Sequence, residues 1–158
     1  MAISTDVAYG PLGHNGGTFW SFRPINNINQ IVISSGGSGN NNPIGITFSS
    51  SNKDGSKNTL TIGGGGNETT VIRNDTINID GADEYLIEIS GTFGRFLDMR
   101  FDVLRSVKFT TNLRVFGPYG PNVGRPFNLP AQNGNKIVGF FGRAGFYVDA
   151  IGTYNAYK

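Results

Sequence analysis

The residues best suited to chemistry lie near the C-terminus, in segment 145–149 with the sequence Gly-Phe-Tyr-Val-Asp. Glycines in and before this segment allow successive backbone N–H groups to point into one concavity, as in an anion- or hydroxyl-binding nest. The carboxylate of Asp149 offers two oxygens with about four acceptor positions, so it could accept hydrogen bonds from two neighbouring hydroxyls of one sugar. Tyr147 would present an apolar face to sugar C–H groups. Together these residues predict a polyol site that needs no metal.

The same segment also has a purely structural interpretation. Asp149 could cap a turn or accept hydrogen bonds from its own loop backbone. Phe146 and Tyr147 could equally be ordinary aromatic residues of a strand. Residue types and spacing alone therefore leave a binding role and a structural role open.

Enzymatic chemistry finds little support elsewhere in the chain. There is no cysteine, and the one histidine, His14, lies in a Gly- and Asn-rich turn whose composition indicates a solvated side chain. Cys–His catalysis is therefore excluded, and no Gly-X-Ser-X-Gly nucleophile elbow is present. A glycosidase needs two facing carboxylates, whereas turn or edge positions are expected for Glu68, Asp75, Asp80, Asp83, Glu84 and Glu88. We predict a protein that is not an enzyme and needs no cofactor.

Metal and nucleic-acid binding are disfavoured for similar reasons. Thiolate ligands are absent, and no Asp-X-Asp-X-Asp cluster indicates calcium, so no metal site is predicted. The formal net charge is +2, and from Val103 onward seven basic residues accompany a single acid, Asp149. These basic residues are scattered along the sequence rather than clustered, which is typical of a mildly basic solvated surface. No nucleic-acid partner is predicted.

Strands must position these side chains, because helical signals are weak. No long window carries apolar residues at i, i+3, i+4 and i+7 without an interrupting Gly or Pro. Short segments rich in Ile, Val, Thr and aromatic residues recur instead. They predict strands over residues 29–34, 44–49, 59–62, 70–73, 76–79, 85–90, 103–110, 114–116, 136–141 and 146–154.

Glycine accounts for 24 of the 158 residues and marks the turns between these strands. The glycine-rich runs are too short to separate domains, so residues 1–158 are predicted to form a single all-β domain. Residues 9–13 (Tyr-Gly-Pro-Leu-Gly) resemble residues 116–120 (Phe-Gly-Pro-Tyr-Gly), and a four-glycine run lies between the two. This internal similarity suggests three related units.

The N-terminus shows no basic region followed by an apolar run, so no signal peptide is predicted. No apolar stretch reaches the roughly 18 residues of a transmembrane helix, so no membrane insertion is expected. The absence of cysteine agrees with these features. Together they favour a cytoplasmic or nucleocytoplasmic location.

Several motifs, taken in order, resemble the jacalin-related lectins. Segment 145–149 is similar to the family's Gly-X-X-X-Asp loop, with residues 139–143 and 150–154 as matching flanks. Segment 10–17 resembles its double-glycine loop, and segment 117–130 its penultimate turn. Residues 19–34 look most similar to the bindweed and sweet-potato branch of the family. Each glycine motif alone is weak, whereas their order and spacing span nearly the whole chain.

The resemblance implies a β-prism I fold of three four-stranded antiparallel sheets with pseudo-threefold symmetry. It also implies a carbohydrate site formed by the backbone N–H groups of Gly17, Phe146 and Tyr147 and by the side chain of Asp149. The expected ligands are mannose- and glucose-type sugars, including mannosides, maltose and high-mannose or complex N-glycans.

Sugar preference follows from the double-glycine loop. Mannose lectins of the family keep this loop inside an uncut chain, whereas the galactose branch is cut to present a free N-terminal glycine. Because residues 1–16 precede Gly17, the resemblance favours mannose and glucose. A galactose-preferring or broad-specificity lectin of the same fold is the alternative.

The resemblance also bears on the number of sites. Some relatives carry a second Gly-X-X-X-Asp loop, but segment 34–42 of this chain ends in Asn rather than Asp, so one site per chain is predicted. A single shallow site should bind a monosaccharide with a dissociation constant on the order of 0.1–1 mM. Useful avidity then requires several sites on one particle. A homodimer or a tetramer is therefore predicted, as in related lectins.

Overall fold

The computed structural model describes residues 6–36, 43–64, 72–80, 82–97 and 100–157. Within these residues the regular structure consists of strands and one short 3-10 turn, Gln132–Gly134, so the all-β prediction is confirmed. The strands are β1 (Val7–Gly13), β2 (Thr18–Phe22), β3 (Gln30–Gly36), β4 (Gly45–Ser51), β5 (Lys57–Gly63), β6 (Ile72–Asn78), β7 (Leu86–Gly94), β8 (Val103–Thr111), β9 (Val115–Tyr119), β10 (Arg125–Pro130), β11 (Lys136–Ala144) and β12 (Val148–Ala156).

The strands pair antiparallel in three sets that share one order. The first set runs β1-β12-β11-β2, the second β9-β8-β7-β10 and the third β5-β4-β3-β6. A single residue pair, Ile137 with Leu86, joins the first two sets into one eight-stranded sheet, and the third set is a separate four-stranded sheet. Each set therefore has two long central strands in sequence succession, flanked by two edge strands.

Sequence patterns missed β1, β2 and β10, all of which are edge strands. Pro11 interrupts β1, and Pro126 and Pro130 lie in β10. Proline lacks the N–H group of a ladder, so it reduces a strand signal, but an edge strand tolerates it because one side needs no partner. Proline in β1 and β10 is thus compatible with their edge positions, whereas β2 contains no proline.

Two other strand predictions were partly wrong. Residues 70–73 and 76–79 were predicted as separate strands, whereas β6 runs continuously from Ile72 to Asn78; residues 70 and 71 lie outside the described part of the chain. The last strand was predicted to begin at Phe146 but begins at Val148. Residues 145–147 form a turn instead, which the backbone N–H of Gly145 closes by donating to the carbonyl of Tyr147 at 3.0 Å.

The internal similarity seen in the sequence has a structural counterpart. Gly10-Pro11 lies in β1 and Gly117-Pro118 lies in β9, and these strands occupy the same position in the first and second sets. Both peptide bonds are cis, and both glycines have a positive φ, 92° and 96°. The two segments therefore share a local backbone conformation as well as a sequence pattern.

An aromatic cluster at the centre connects all three sets. Phe48 of β4 is fully buried and stacks on Phe140 of β11 with ring centroids 4.7 Å apart. It also stacks on Trp20 and Phe22 of β2, at 6.0 and 5.9 Å. Phe140 in turn meets Phe109 of β8 edge-on at 6.1 Å. Because β4, β11 and β8 belong to different sets, this cluster is where the sets pack against one another.

No helix among the described residues has the length and apolar character required to cross a bilayer.

Replacing the central ring should destabilise the fold strongly. Phe48→Ala removes a fully buried ring whose contacts reach two strands of the first set, so we expect the free energy of unfolding to fall by about 3–5 kcal/mol. Ile25→Ala is the matched control, because Ile25 is 97% exposed and should change stability by less than about 0.5 kcal/mol. Denaturant unfolding measures both. A Phe48→Ala effect as small as that of the control would contradict the central role of this cluster.

Candidate functional site

Strand register brings two distant turns together at one end of the first set. Thr18 at the start of β2 lies opposite Ala144 at the end of β11, and Gly13 at the end of β1 lies opposite Ala150 of β12. The β1–β2 turn and the β11–β12 turn must therefore lie side by side. The sequence-predicted residues Gly17 and Asp149 belong to the strands and turns that meet here.

Asp149 lies against the double-glycine backbone. The residue is only 8% exposed, and an added Cβ at Gly17 would lie 2.5 Å from its Oδ2 and 2.6 Å from the carbonyl carbon of Ala144. Gly17 also has a positive φ of 68°, which residues with a side chain rarely adopt. Only glycine fits this position, and the close approach leaves the carboxylate beside the Gly17 backbone.

Three backbone donors remain unengaged around this carboxylate. Among the described residues, the N–H groups of Gly17, Phe146 and Tyr147 form no hydrogen bond within the protein. Buried or half-buried N–H groups are normally paired with protein, water or ligand. Gly17 and Phe146 are exposed and Tyr147 is half-buried, so water or a bound molecule can accept hydrogen bonds from these three N–H groups.

The two aromatic side chains of the turn differ in their surroundings. Phe146 is 75% exposed, so its ring projects into solvent beside the turn. Tyr147 is half-buried, and its ring packs edge-on against buried Phe96 at a centroid distance of 5.5 Å. The Arg105 guanidinium lies over the Phe96 ring, 5.5 Å from its centroid. Tyr147 is thus held in place by packing, whereas Phe146 is free to contact a ligand.

Arg143, which the sequence analysis used only as a flanking match, fastens the two turns together. Its Nε donates to the carbonyl of Gly16 at 3.0 Å, and its Nη2 donates to the carbonyl of Gly17 at 2.8 Å. Both acceptors are backbone atoms of a turn far away in the sequence, so no residue type in that turn indicates the contact. Its fork of donors matches two successive carbonyls, which a lysine could not do as well.

His14 lies against Asp149, so its interpretation as a merely solvated turn residue was wrong. Its Nε2 is 3.0 Å from Oδ1 of Asp149, although the angle does not satisfy hydrogen-bond geometry. Its Nδ1 accepts the backbone N–H of Gly16 at 3.0 Å, so a neutral imidazole carries its proton on the Nε2 side that faces the carboxylate. Its ring stacks on Phe101 at 4.7 Å. The sequence could not reveal these partners, because they come from other loops.

Burial and charge act in opposite directions on Asp149. Burial raises the pKa of the carboxyl above its ordinary value, and this effect is the largest. The nearby charges of His14 and Arg143 lower the pKa of the same group but do not cancel the effect of burial. Asp149 is thus a buried carboxylate held close to His14 and Arg143.

Chemistry other than hydrogen bonding has little basis at this site. Among the described residues, no group of three or more His, Cys, Asp and Glu side chains could hold a metal ion. The segment in which a second sugar site was considered falls largely outside the described residues, since 37–42 are not described. The arrangement at Asp149 offers one buried acceptor, three backbone donors and an exposed aromatic ring.

A site of this kind on an all-β scaffold is that of a carbohydrate-binding protein. Comparison with known proteins makes the class specific: a sequence model described as Jacalin-like lectin domain matches residues 9–154. The chain belongs to the jacalin-like lectin family, whose members bind carbohydrates and are not enzymes. The family resemblance seen in the sequence is confirmed.

Individual relatives agree with this assignment. The chain is 60% identical to the jacalin-related lectin Calsepa of Calystegia sepium over the full length of both chains. It is 38% identical to a mannose/glucose-specific lectin of Parkia platycephala over 96% of this chain, which spans 32% of that longer protein. Its fold matches a crystal structure of Calsepa lectin in complex with a biantennary N-glycan with a TM-score of 0.87 and 59% identity, covering 99% of this chain and 100% of that one.

Gly17 and Gly145, which lie on the two facing turns, should differ in their tolerance of a side chain. Gly17→Ala forces a Cβ against Asp149 and Ala144 at a positive φ, so we expect the free energy of unfolding to fall by at least about 1–3 kcal/mol. Gly145→Ala is the matched control, because a Cβ there meets nothing closer than the Gly17 Cα at 4.0 Å. It should cost less than about 0.5 kcal/mol. Equal losses in denaturant unfolding would contradict the close packing of Gly17.

Proposed function

We propose that this protein is a lectin that recognises mannose- and glucose-type sugars at one metal-independent site per chain. The site consists of the backbone N–H groups of Gly17, Phe146 and Tyr147 and the carboxylate of Asp149. The observation that carries the proposal is the buried Asp149 carboxylate lying against Gly17 while three neighbouring N–H groups are unengaged.

Recognition follows from the complementary roles of these groups. The two Asp149 oxygens accept hydrogen bonds from two neighbouring sugar hydroxyls, and these charge-assisted hydrogen bonds are stronger than neutral ones. The backbone N–H groups donate to oxygens of the same sugar, so each hydroxyl finds both an acceptor and a donor. The exposed Phe146 ring and the supported Tyr147 ring contact the apolar C–H faces. Because backbone donors are held by strand register, little ordering is needed on binding.

The sugar preference has two sources of support. Gly17 lies inside a continuous chain between β1 and β2, so its nitrogen is an amide rather than a free amine. The Parkia relative is named a mannose/glucose-specific lectin, and Calsepa has been crystallised with biantennary and bisected glycans. Mannosides, maltose and N-glycans are therefore the ligands that we propose for this chain.

We also infer a three-sheet prism for the fold. The support is that the same strand order occurs three times and that, among the described residues, Ile137–Leu86 is the only strand pairing between two of the sets. All three sets contribute rings to one aromatic cluster, and three sheets that pack face to face would share such a core. We further propose that residues 1–158 form one lectin domain, as the family match over 9–154 supports.

A homodimer or a tetramer is proposed for the assembly. A single shallow site binds weakly, and several sites on one particle raise avidity without any new contact. Sedimentation at micromolar concentration, combined with crosslinking of a multivalent mannosylated polymer, tests this. A monomer that fails to crosslink the polymer would contradict it.

Calorimetric titration with methyl α-mannoside and methyl α-galactoside, with chelator present, tests the proposed function. We expect the mannoside alone to bind, near one site per chain, with a dissociation constant on the order of 0.1–1 mM. Asp149→Asn should abolish binding, because the neutral amide has one acceptor oxygen and no charge. Asp83→Asn, at an exposed acid away from the site, is the control and should bind normally. Galactoside preference would overturn the sugar assignment, and mannoside binding by Asp149→Asn would overturn the site.

Mannoside affinity should also depend on pH. Binding needs the ionised carboxylate, and burial raises the pKa of Asp149, so affinity should fall at a higher pH than for an ordinary aspartate near about 3.9. His14→Gln should shift this fall to still higher pH, because the charge of His14 lowers the pKa of Asp149.

As pH falls, protonation of Asp149 should lower the sugar affinity without lowering the free energy of unfolding. A carboxyl whose folded-state pKa lies above its unfolded-state pKa adds stability at low pH and loses that contribution as pH rises through the folded-state pKa. Protonation of Asp149 therefore removes sugar binding while favouring the folded state. Affinity and melting temperature measured across the same pH series distinguish the two effects. Constant affinity down to the pH of unfolding would contradict the role of Asp149.

A further inference from the structure

A basic cavity is lined in part by His14, the side chain that also contacts Asp149. Its volume is about 490 Å³, which falls within the range of roughly 300–1,000 Å³ for small-molecule sites. Gly13 and His14 form one wall, and the segment after β7 and the start of β10 form the others. His14 contacts both Asp149 and the cavity residue Phe101, so it borders both the cavity and the candidate sugar site.

The walls of the cavity combine positive charge with apolar surface. Arg95, Arg100 and Arg125 line it together with one carboxylate, Asp102. Arg125 lies 3.6 Å from Asp102, whereas Arg95 and Arg100 are exposed and form no ion pair with any described residue. Among the described residues that line the cavity, Asp102 is the only acid beside the three arginines. The cavity is therefore suited to an anion.

The apolar part of the lining indicates more than a simple ion site. Phe93 and Phe127 are buried and pack together at 4.9 Å, and the half-exposed Phe101 ring lies beside them. Flat apolar surfaces next to guanidinium groups suit a molecule with C–H faces and a carboxylate, because arginine pairs with carboxylates in two parallel hydrogen bonds. A sugar carboxylate combines both features.

We propose that this cavity binds the uronic-acid unit of an acidic glycan, next to the neutral sugar at Asp149. The arginine side chains pair with the carboxylate, and the phenylalanine rings pack against the sugar ring. The inference rests on the proposed function in one respect: a glycan that occupies both places must also bind at Asp149. The carboxylate belongs in the cavity rather than at the neighbouring site, where Asp149 would repel it.

Nuclear magnetic resonance of ¹⁵N-labelled protein tests the proposal at both places separately. Methyl α-glucuronide is titrated against its neutral counterpart, methyl α-glucoside, and against sodium sulfate at matched ionic strength. We expect glucuronide to shift the Nε–H signals of Arg95, Arg100 and Arg125 saturably, at least about ten-fold more tightly than either comparison ligand. The shifts should persist when methyl α-mannoside saturates the site of Gly17 and Tyr147.

Charge variants provide the control. Arg95→Gln combined with Arg100→Gln should remove glucuronide binding and leave mannoside binding intact. Lys53→Gln combined with Lys57→Gln removes the same charge from the exposed β4–β5 hairpin and should retain both. Equal loss in the two double variants, sulfate binding as strong as glucuronide binding, or no saturable shift at the arginines would each overturn the proposal.

The two proposals can fail independently. Mannoside shifts at Gly17 and Tyr147 without glucuronide shifts at the arginines would leave the proposed function standing and remove the acidic subsite. Glucuronide shifts at the arginines without mannoside shifts would retain the acidic subsite and remove the proposed function.

Discussion

The packing of Phe48 against rings of the first set, extended through Phe140 to the second set, is the interaction on which the remaining structure depends. Each set alone is a four-stranded antiparallel ribbon that leaves one apolar face exposed. Phe48 lies where the third set meets β2 and β11, and Phe140 carries the contact on to Phe109 of β8. Once these rings are in place, the strand ends are fixed relative to one another. The packing of this core, rather than the sequence of each turn, therefore determines where the turns of the candidate site lie.

The candidate site shows how close packing and function are linked. Gly17 permits the Asp149 carboxylate to approach the backbone, and the resulting burial raises the pKa of that carboxyl. Arg143 and His14 partly offset the cost of burying the charge, yet neither occupies the carboxylate with a well-aligned hydrogen bond. A buried carboxyl whose pKa is raised is common at binding sites. Arg143 instead uses its donors on the Gly16 and Gly17 carbonyls, and so fixes the distance between the two turns.

The repeated strand order gives each set a comparable pair of turns, but the chemistry placed there differs. In the first set, the β1–β2 and β11–β12 turns present backbone donors and a carboxylate. In the second set, the β7–β8 connection and the start of β10 present arginine and phenylalanine side chains around a cavity. His14 belongs to the first set and borders both regions. Substitution at such turns changes function at little cost to the core, because they lie outside the aromatic cluster.

The sequence by itself determined the all-β class, the long central strands and the Gly-X-X-X-Asp segment, since period, β-branched content and glycine spacing are local properties. The order and spacing of its glycine motifs were also sufficient to identify the family. Only the tertiary structure decided which edge strands complete the sets, because proline and glycine weaken a strand signal that an edge position tolerates. It also decided that His14 faces Asp149, that Arg143 binds the Gly16 and Gly17 carbonyls, and that two arginines of the β7–β8 connection share one cavity with Arg125 of β10. These contacts join residues far apart in the sequence, and they exist only because strand register and core packing bring the strand ends together.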